Sequence, residues 1–493
     1  MPGTFAWRLR EYGSVGSEEL WKWLWLDFSA PARSPVSKLI RRNMRSHSMD
    51  NLSDEPFTAS RSQTPELMPR EESVGMSRMV SQVLEPLGEG SLLAAVFTLV
   101  SSAMGAGCLS LPFMLKRAGV VLGLLMLLVG ALLAHLSLVV LMSCARYTES
   151  ESMAQLVELA SGRKGSGRVV DVVIAVYGIA AVLCYLIFIG DFFSGIAGSP
   201  LLGLEVSRET LIIVLSIVVV WPLSLPRRLS KLRYVCVLSV VAICLTSVAV
   251  ACKAPGYMMA QGEGEQADSA RGGEEWTLRL WSSDPSDALQ SFSIALFAFA
   301  AHTNAVPVAT SLKKADGGSI WRVSLYSVCI ELVFYMLMGL GGYLSFRDFT
   351  KQDFILNYRN DDTVMFLVRC IYGLVVCLGA PINLSPAASS ILGLISPCGR
   401  KGGSKALHNV VVTVIIVCCV LLAIANEHIA DVIGLCGASF GSLIVLALPA
   451  MVYRKALFDL HPRGLARFVF WSLACAAVLG LAAFAVQARN FWL

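Results

Sequence analysis

The stretch Met104-Gly105-Ala106-Gly107-Cys108-Leu109-Ser110-Leu111-Pro112 interrupts an apolar run of Leu, Val and Ala with two glycines and a proline. Glycine lifts the steric bar to unusual backbone angles, and proline removes a donor and bends the chain. Far downstream, Phe299-Ala300-Ala301-His302-Thr303-Asn304-Ala305-Val306-Pro307 interrupts a second apolar run with a polar triplet and a proline at similar depth. A helix in lipid can leave backbone groups unpaired only where protein or a watery cavity lines it, so paired mid-span breaks mark a candidate binding site. Close helix packing through small residues is the competing reading of Gly105 and Gly107. The second break, at the repeat-equivalent position, favours the site.

Working outward, the 493 residues are 55% hydrophobic and 15% charged, with mean hydropathy +0.65. Soluble domains run near a quarter charged, so this composition places the chain in a lipid bilayer. The net charge is only +5, from 40 basic and 35 acidic residues that are dispersed, which leaves no nucleic-acid face. The 14 cysteines lie mostly in apolar runs and form no ligand cluster, so neither a disulfide framework nor a metal site is expected. No HExxH or GxxxxGK[ST] pattern occurs, which removes support for proteolysis and ATP-driven transport. No cofactor is expected, and the chain does not read as an enzyme.

Residues 1–90 are different material, with 11 Lys and Arg and 12 Asp and Glu among Ser, Pro and Met. This composition reads as a disordered tail without a signal peptide, held in the cytosol. Leu20, Trp21, Leu24, Trp25 and Phe28 share one helical face that suits the headgroup layer or a transient helix. Arg41 to Ser48 set serines beside basic charge, as a kinase site or as a plain solvated stretch.

After Gly90, eleven apolar segments follow, with limits near 91–114, 119–145, 169–195, 209–225, 232–252, 288–311, 319–346, 363–395, 407–425, 429–453 and 465–487. Each is about the ~20 residues a helix needs to cross a bilayer. With the amino end inside, inner loops carry 18 Lys and Arg against ten outside, which satisfies the positive-inside rule. Five spans begin with each broken helix. The organisation is therefore an inverted repeat: residues 91–252 form repeat 1, 253–287 an acidic outer loop, 288–453 repeat 2, and 454–493 an inner loop, an eleventh peripheral span and a short outer tail. Freed amides at such breaks attract a carboxylate and freed carbonyls an ammonium, so a zwitterionic amino acid suits both.

The sequence also resembles the amino acid/auxin permease family, which includes sodium-coupled neutral and vacuolar amino acid transporters. The resemblance rests on VFTLVSSAMGAGCLSLPF at 96–113, YLIFIGD at 185–191, FAFAAHTNAVPV at 297–308, GYLSF at 342–346, GLCGASFGSLIVLALPAMVY at 434–453, and Arg369 twelve residues before Pro381. It implies an eleven-span carrier of L-amino acids, driven by protons or sodium. It also implies a substrate held between the first and sixth spans, with the third, eighth and tenth closing around it. Sodium-coupled members usually have Asn where this chain has Thr98, and Thr near Cys377 and Gly379. Cys and Gly side chains supply no oxygen for a hard cation, which favours protons over sodium.

The candidate substrate residues are Ser102, Met104, Gly105, Ala106, Gly107, Phe299, Ala301, His302, Asn304 and Asn383. The coupling-ion candidates are Thr98, Ser101, Asp191, His302 and Glu331. Glu331 lies mid-span, where an ionisable group is costly, as a proton site or a structural acid. His302 reads as a proton relay or a satisfied structural group. Asp191 and Arg369 read as an external ion pair, with snorkelling of Arg369 to the interface as the simpler alternative. Asp171 reads as interfacial. The expected function is secondary active transport of an L-amino acid, neutral before cationic, by alternating access. The competing class is a non-transporting sensor that signals through residues 1–90 to a kinase or other partner. The membrane itself, plasma or vacuolar and lysosome-like, is not readable.

Overall fold

In a computed structural model, the described residues are 90–199, 203–226, 233–269, 278–313, 317–359, 362–395, 405–425, 429–456 and 463–492. The two features of the amino-terminal tail, at 20–28 and 41–48, lie outside them.

The first apolar run is three helices in series: α1 (Leu92–Ala103), α2 (Ala106–Leu109) and α3 (Leu111–Ala118). Helix α1 starts on a Ser91 cap that accepts from the Ala94 amide, and ends where Met104 turns extended. Pro112 sits in the first turn of α3, where its missing amide breaks no helical bond. There follow α4 (Val120–Thr148), the short α5 (Met153–Ser161) and α6 (Ser166–Ala197). Helix α7 (Arg208–Leu215) runs through a wider π segment, Ser216–Val220, into α8 (Trp221–Ser224). Helix α9 (Arg233–Ser269) precedes the second broken run, α10 (Pro285–Ala298) and α11 (His302–Ser311). The chain ends with α12 (Gly317–Phe346), α13 (Thr363–Ile395), α14 (Lys405–Ala425), α15 (Ile429–Cys436), an eleven-residue π segment Gly437–Ala447, α16 (Leu448–Ala456) and α17 (Arg463–Trp492).

Among the described residues, nine helices are long and apolar enough to cross a membrane, the longest of 33 residues. They are apolar all round, so packing rather than hydrophobic contrast decides which face turns inward. On α14, Val411, Val412, Ile415, Ile416, Cys419 and Ala423 are buried, while Val410, Val414, Val417 and Leu421 stay exposed in a stripe for lipid. The run α10–α11 is the opposite case, with 94% of its apolar window buried. The two broken runs are the centre of the bundle, with α6 packed along α13 and α12 along α9, α4 and α3.

One boundary differs from expectation. Residues 253–269, read from their charge as outer loop, continue α9 to Ser269 in spite of Pro255. Ala, Met, Gln and Glu dominate that extension, and their helix propensity outweighs their polarity.

Candidate functional site

The two breaks lie against each other. A Cβ on Gly107 would come within 2.9 Å of the Ala298 Cα, so only glycine admits the second run this close. A Cβ on Gly105 would fall 1.7 Å from Tyr185 Oη of α6. Ser102 accepts a hydrogen bond from Asn304 Nδ2, joining the end of α1 to the start of α11. One carbonyl at each break accepts from a tyrosine, the Gly105 carbonyl also from Cys108 N. Tyr372 of α13 donates to Gly105 O at 3.0 Å, and Tyr335 of α12 donates to Ala298 O at 2.6 Å. Tyr335 also stacks edge-on against Phe299, with ring centroids 5.0 Å apart.

A cavity of about 370 Å³ runs from this point to the surface beside Gly90, Ser91, Glu151 and Ser152. Thr98 of α1, Asn304 and Pro307 of α11, Asp171 and Ile174 of α6, and Ser385 and Ser390 of α13 line it. Among its lining groups, Asn304 Oδ1 is buried without a hydrogen-bond partner. A buried acceptor without a donor is costly and calls for a ligand, a water or an ion.

The opposite side is shut. The segment after residue 277 lies across the α3–α4 corner, where Val120 N donates to Arg279 O at 2.9 Å, Val121 N to Leu280 O at 3.0 Å and Ser282 N to Ala118 O at 2.8 Å. Arg117 pairs with Asp287 at 2.7 Å, and Lys116 donates to Thr350 O at 3.2 Å.

Among the residues named from the sequence, Thr98 and Asn304 line the cavity, although Thr98 Oγ1 spends its proton on Ala94 O at 2.7 Å. Met104, Phe299 and Ala301 are buried at the breaks, and Ala106 opens α2. Asn383 Nδ2 donates to Tyr185 Oη and to Gly379 O, each at 3.3 Å. His302 turns away from the cavity: its Nε2 lies 2.7 Å from Ser137 Oγ of α4. Glu331 is fully buried, with neither carboxyl oxygen hydrogen-bonded.

The expected Asp191–Arg369 gate takes a different form. Asp191 pairs with Arg208 at 2.7 Å. Arg369 is 1% exposed, so it does not snorkel. It donates instead to Ile355 O at 3.2 Å and Tyr358 O at 2.6 Å, clasping the loop between α12 and α13. In that loop burial, and then the nearby Asp191 charge, push the Asp353 carboxyl up to about 8. The pentapeptide Gly437-Ala438-Ser439-Phe440-Gly441 has the spacing of a hydrolase elbow. It lies in the π segment, where Ser439 Oγ donates to Leu435 O at 2.7 Å, so it is helix backbone and not a nucleophile turn.

Sequence reasoning passed over the mid-span tyrosines Tyr185, Tyr335 and Tyr372. The readable signal was a hydroxyl inside an apolar run, which needs a partner when buried.

This arrangement, two broken helices packed together inside a bundle of long apolar helices, is an all-helical membrane fold. Solved structures agree: a manganese transporter of Eremococcus coleocola aligns with TM-score 0.55 over 82% of this chain and 88% of that one at 12% identity. MhsT in complex with L-phenylalanine aligns with TM-score 0.51 over 80% and 98%, also at 12% identity.

Residues 88–488 match the family described as transmembrane amino acid transporter protein, and the chain belongs to that family. Relatives include AAT1 of Toxoplasma gondii, 29% identical over 66% of this chain and 44% of that one. The vacuolar amino acid transporter 7 of Saccharomyces cerevisiae is 26% identical over 62% and 60%. The sodium-coupled neutral amino acid transporter 7 of Danio rerio is 27% identical over 63% and 66%. The chain thus spans between 44% and 66% of these relatives' own lengths.

Proposed function

We propose that the protein is a secondary active carrier of an L-amino acid, neutral before cationic, which works by alternating access around the crossed breaks. The observation that carries this reading is the orphaned Asn304 Oδ1 acceptor, which lines the cavity at the second break while its Nδ2 reaches Ser102 near the end of α1. An α-ammonium supplies the donors that this oxygen lacks, and helix ends supply amides for the carboxylate. Membership of a transporter family favours a carrier over a sensor.

The nine long helices, the broken first run and the short α7–α8 segment support eleven passes in a five-plus-five arrangement. With the amino end cytosolic, the cavity opens inward and the clasped side faces out. Proton coupling is preferred to sodium, because Cys377 and Gly379 supply no side-chain oxygen where sodium-coupled members have Thr.

The test is uptake of a panel of labelled amino acids into proteoliposomes, with proton and sodium gradients imposed in turn. Saturable exchange of at least one L-amino acid is expected, lost in Gly105→Val. No exchange across the whole panel by well-folded protein would overturn the reading.

A further inference from the structure

Glu331 lies at the middle of α12 on a single face with Ser327, Tyr335 and Gly339, residues four apart that stack along one side of a helix. Each neighbour on that stripe shows what the stripe faces. Ser327 Oγ donates to Val96 O of α1 at 3.4 Å. Tyr335 reaches Ala298 O at the second break. A Cβ on Gly339 would sit against Leu111 and Leu115 of α3. The Glu331 carboxyl is therefore level with the gap between α1 and α3, where the first run is broken.

Among the described residues no positive charge pairs with it. On its own helix the titratable group one turn along the same face is Tyr335, whose hydroxyl is committed to Ala298 O, while Cys329 is exposed. From the broken run there is Cys108, and on α9 there are Cys236 and Cys244, all free thiols. On α4, His135 is held by Ser324 at 2.9 Å, two helical turns from Glu331. Of the cations on these elements, Lys253 is held by Asp362 at 2.8 Å, Lys116 by Thr350 O, Arg117 by Asp287 and Arg322 by Gly318 O, while Arg146 lies in the last turn of α4. A structural acid would accept from a hydroxyl or an amide, and neither oxygen of Glu331 does. A carboxylate fully removed from water without donor or counter-ion is far less stable than the neutral acid.

We propose that Glu331 is a proton-binding site controlled by the broken first run. It holds its proton while α1–α3 covers it, and releases it when that run moves aside and admits water. The proton and the amino acid are then governed by the same moving element, which is the condition for coupled transport. This rests on the carrier reading above.

The test uses the full chain in proteoliposomes and compares amino acid uptake with and without an inward proton gradient. In wild type the ratio of the two exceeds unity. In Glu331→Gln it falls to unity, at whatever rate gradient-free exchange runs, and Glu331→Asp restores a ratio above unity. A wild-type ratio in E331Q would overturn the proposal. Infrared spectroscopy of the detergent-solubilised protein reads the site without transport. Wild type shows the carbonyl band of a protonated carboxyl at neutral pH that E331Q lacks, and identical spectra would overturn the proposal. Absence of exchange in wild type counts against the carrier reading alone, because the infrared difference still decides Glu331.

Discussion

The two helix breaks do the same structural work by opposite chemistry. The first, at Gly105 and Gly107, has no polar side chain and works by absence: Tyr185 and Ala298 occupy the room where Cβ atoms would be. The second, at His302, Thr303 and Asn304, works by presence: its side chains reach Ser137 in one direction and Ser102 in the other. Each break has one carbonyl capped by a tyrosine from a different long helix, Tyr372 for Gly105 and Tyr335 for Ala298. A break in lipid is thus a matter of backbone accounting, and either small size or polarity can meet it.

If the first break depends on space, Gly105→Val has the largest effect. The added carbon would overlap Tyr185 Oη, so transport should fall to background while membrane insertion is unchanged, measured by uptake and by cell-surface or membrane-fraction abundance. If the second depends on polarity, Asn304→Leu removes the bond to Ser102 and the orphan acceptor together. A loss of about 1–3 kcal/mol, roughly tenfold to hundredfold in uptake rate, is expected. Full activity in Asn304→Leu would show that only size matters at both breaks.

The tyrosine caps sharpen the comparison. Tyr335→Phe leaves the buried Ala298 carbonyl unpaired, at about 1–3 kcal/mol of stability, whereas in Tyr372→Phe the Gly105 carbonyl keeps its bond from Cys108 N at 3.2 Å. The Tyr372→Phe loss should be the smaller, and the two close to additive in the double variant, when thermal unfolding is followed in detergent. A Tyr372→Phe loss as large as that of Tyr335→Phe would mean that the Cys108 amide does not hold the Gly105 carbonyl.

The smallest effect concerns the clasped side. Asp353, raised to about 8 mainly by burial, binds more protons folded than unfolded between the ordinary carboxylate range and that value. Its contribution is therefore complete below the unfolded value and is lost as pH rises through about 8. Hydrogen exchange of residues 351–358 should quicken over that window, and Asp353→Asn should flatten the response.

Much of this was legible in the sequence. Length and hydropathy gave the helices, and Gly105, Gly107, Pro112 and the His302–Asn304 triplet located both interruptions. The misses have one cause. Where Tyr185, Tyr335 and Tyr372 send their hydroxyls depends on contacts between helices far apart in the chain, and period and composition do not encode those contacts. The same holds for His302, which was placed correctly along its helix but faces α4 because of its rotation about the axis. Arg369 was misread for a related reason. Long cations at span ends usually reach for water, but here two loop carbonyls, Ile355 and Tyr358, come to meet the guanidinium.

The π segment Gly437–Ala447 fits more residues into each turn than an α-helix does. It is slack wound into a rod. If that slack is taken up, α15 must swivel relative to α16 without any change in chain length, and Gly437, already pressed on Ser293 O, must slide along α10. The α15 end can then follow the second broken run while the α16 end stays in place, like a torsion spring with one fixed foot.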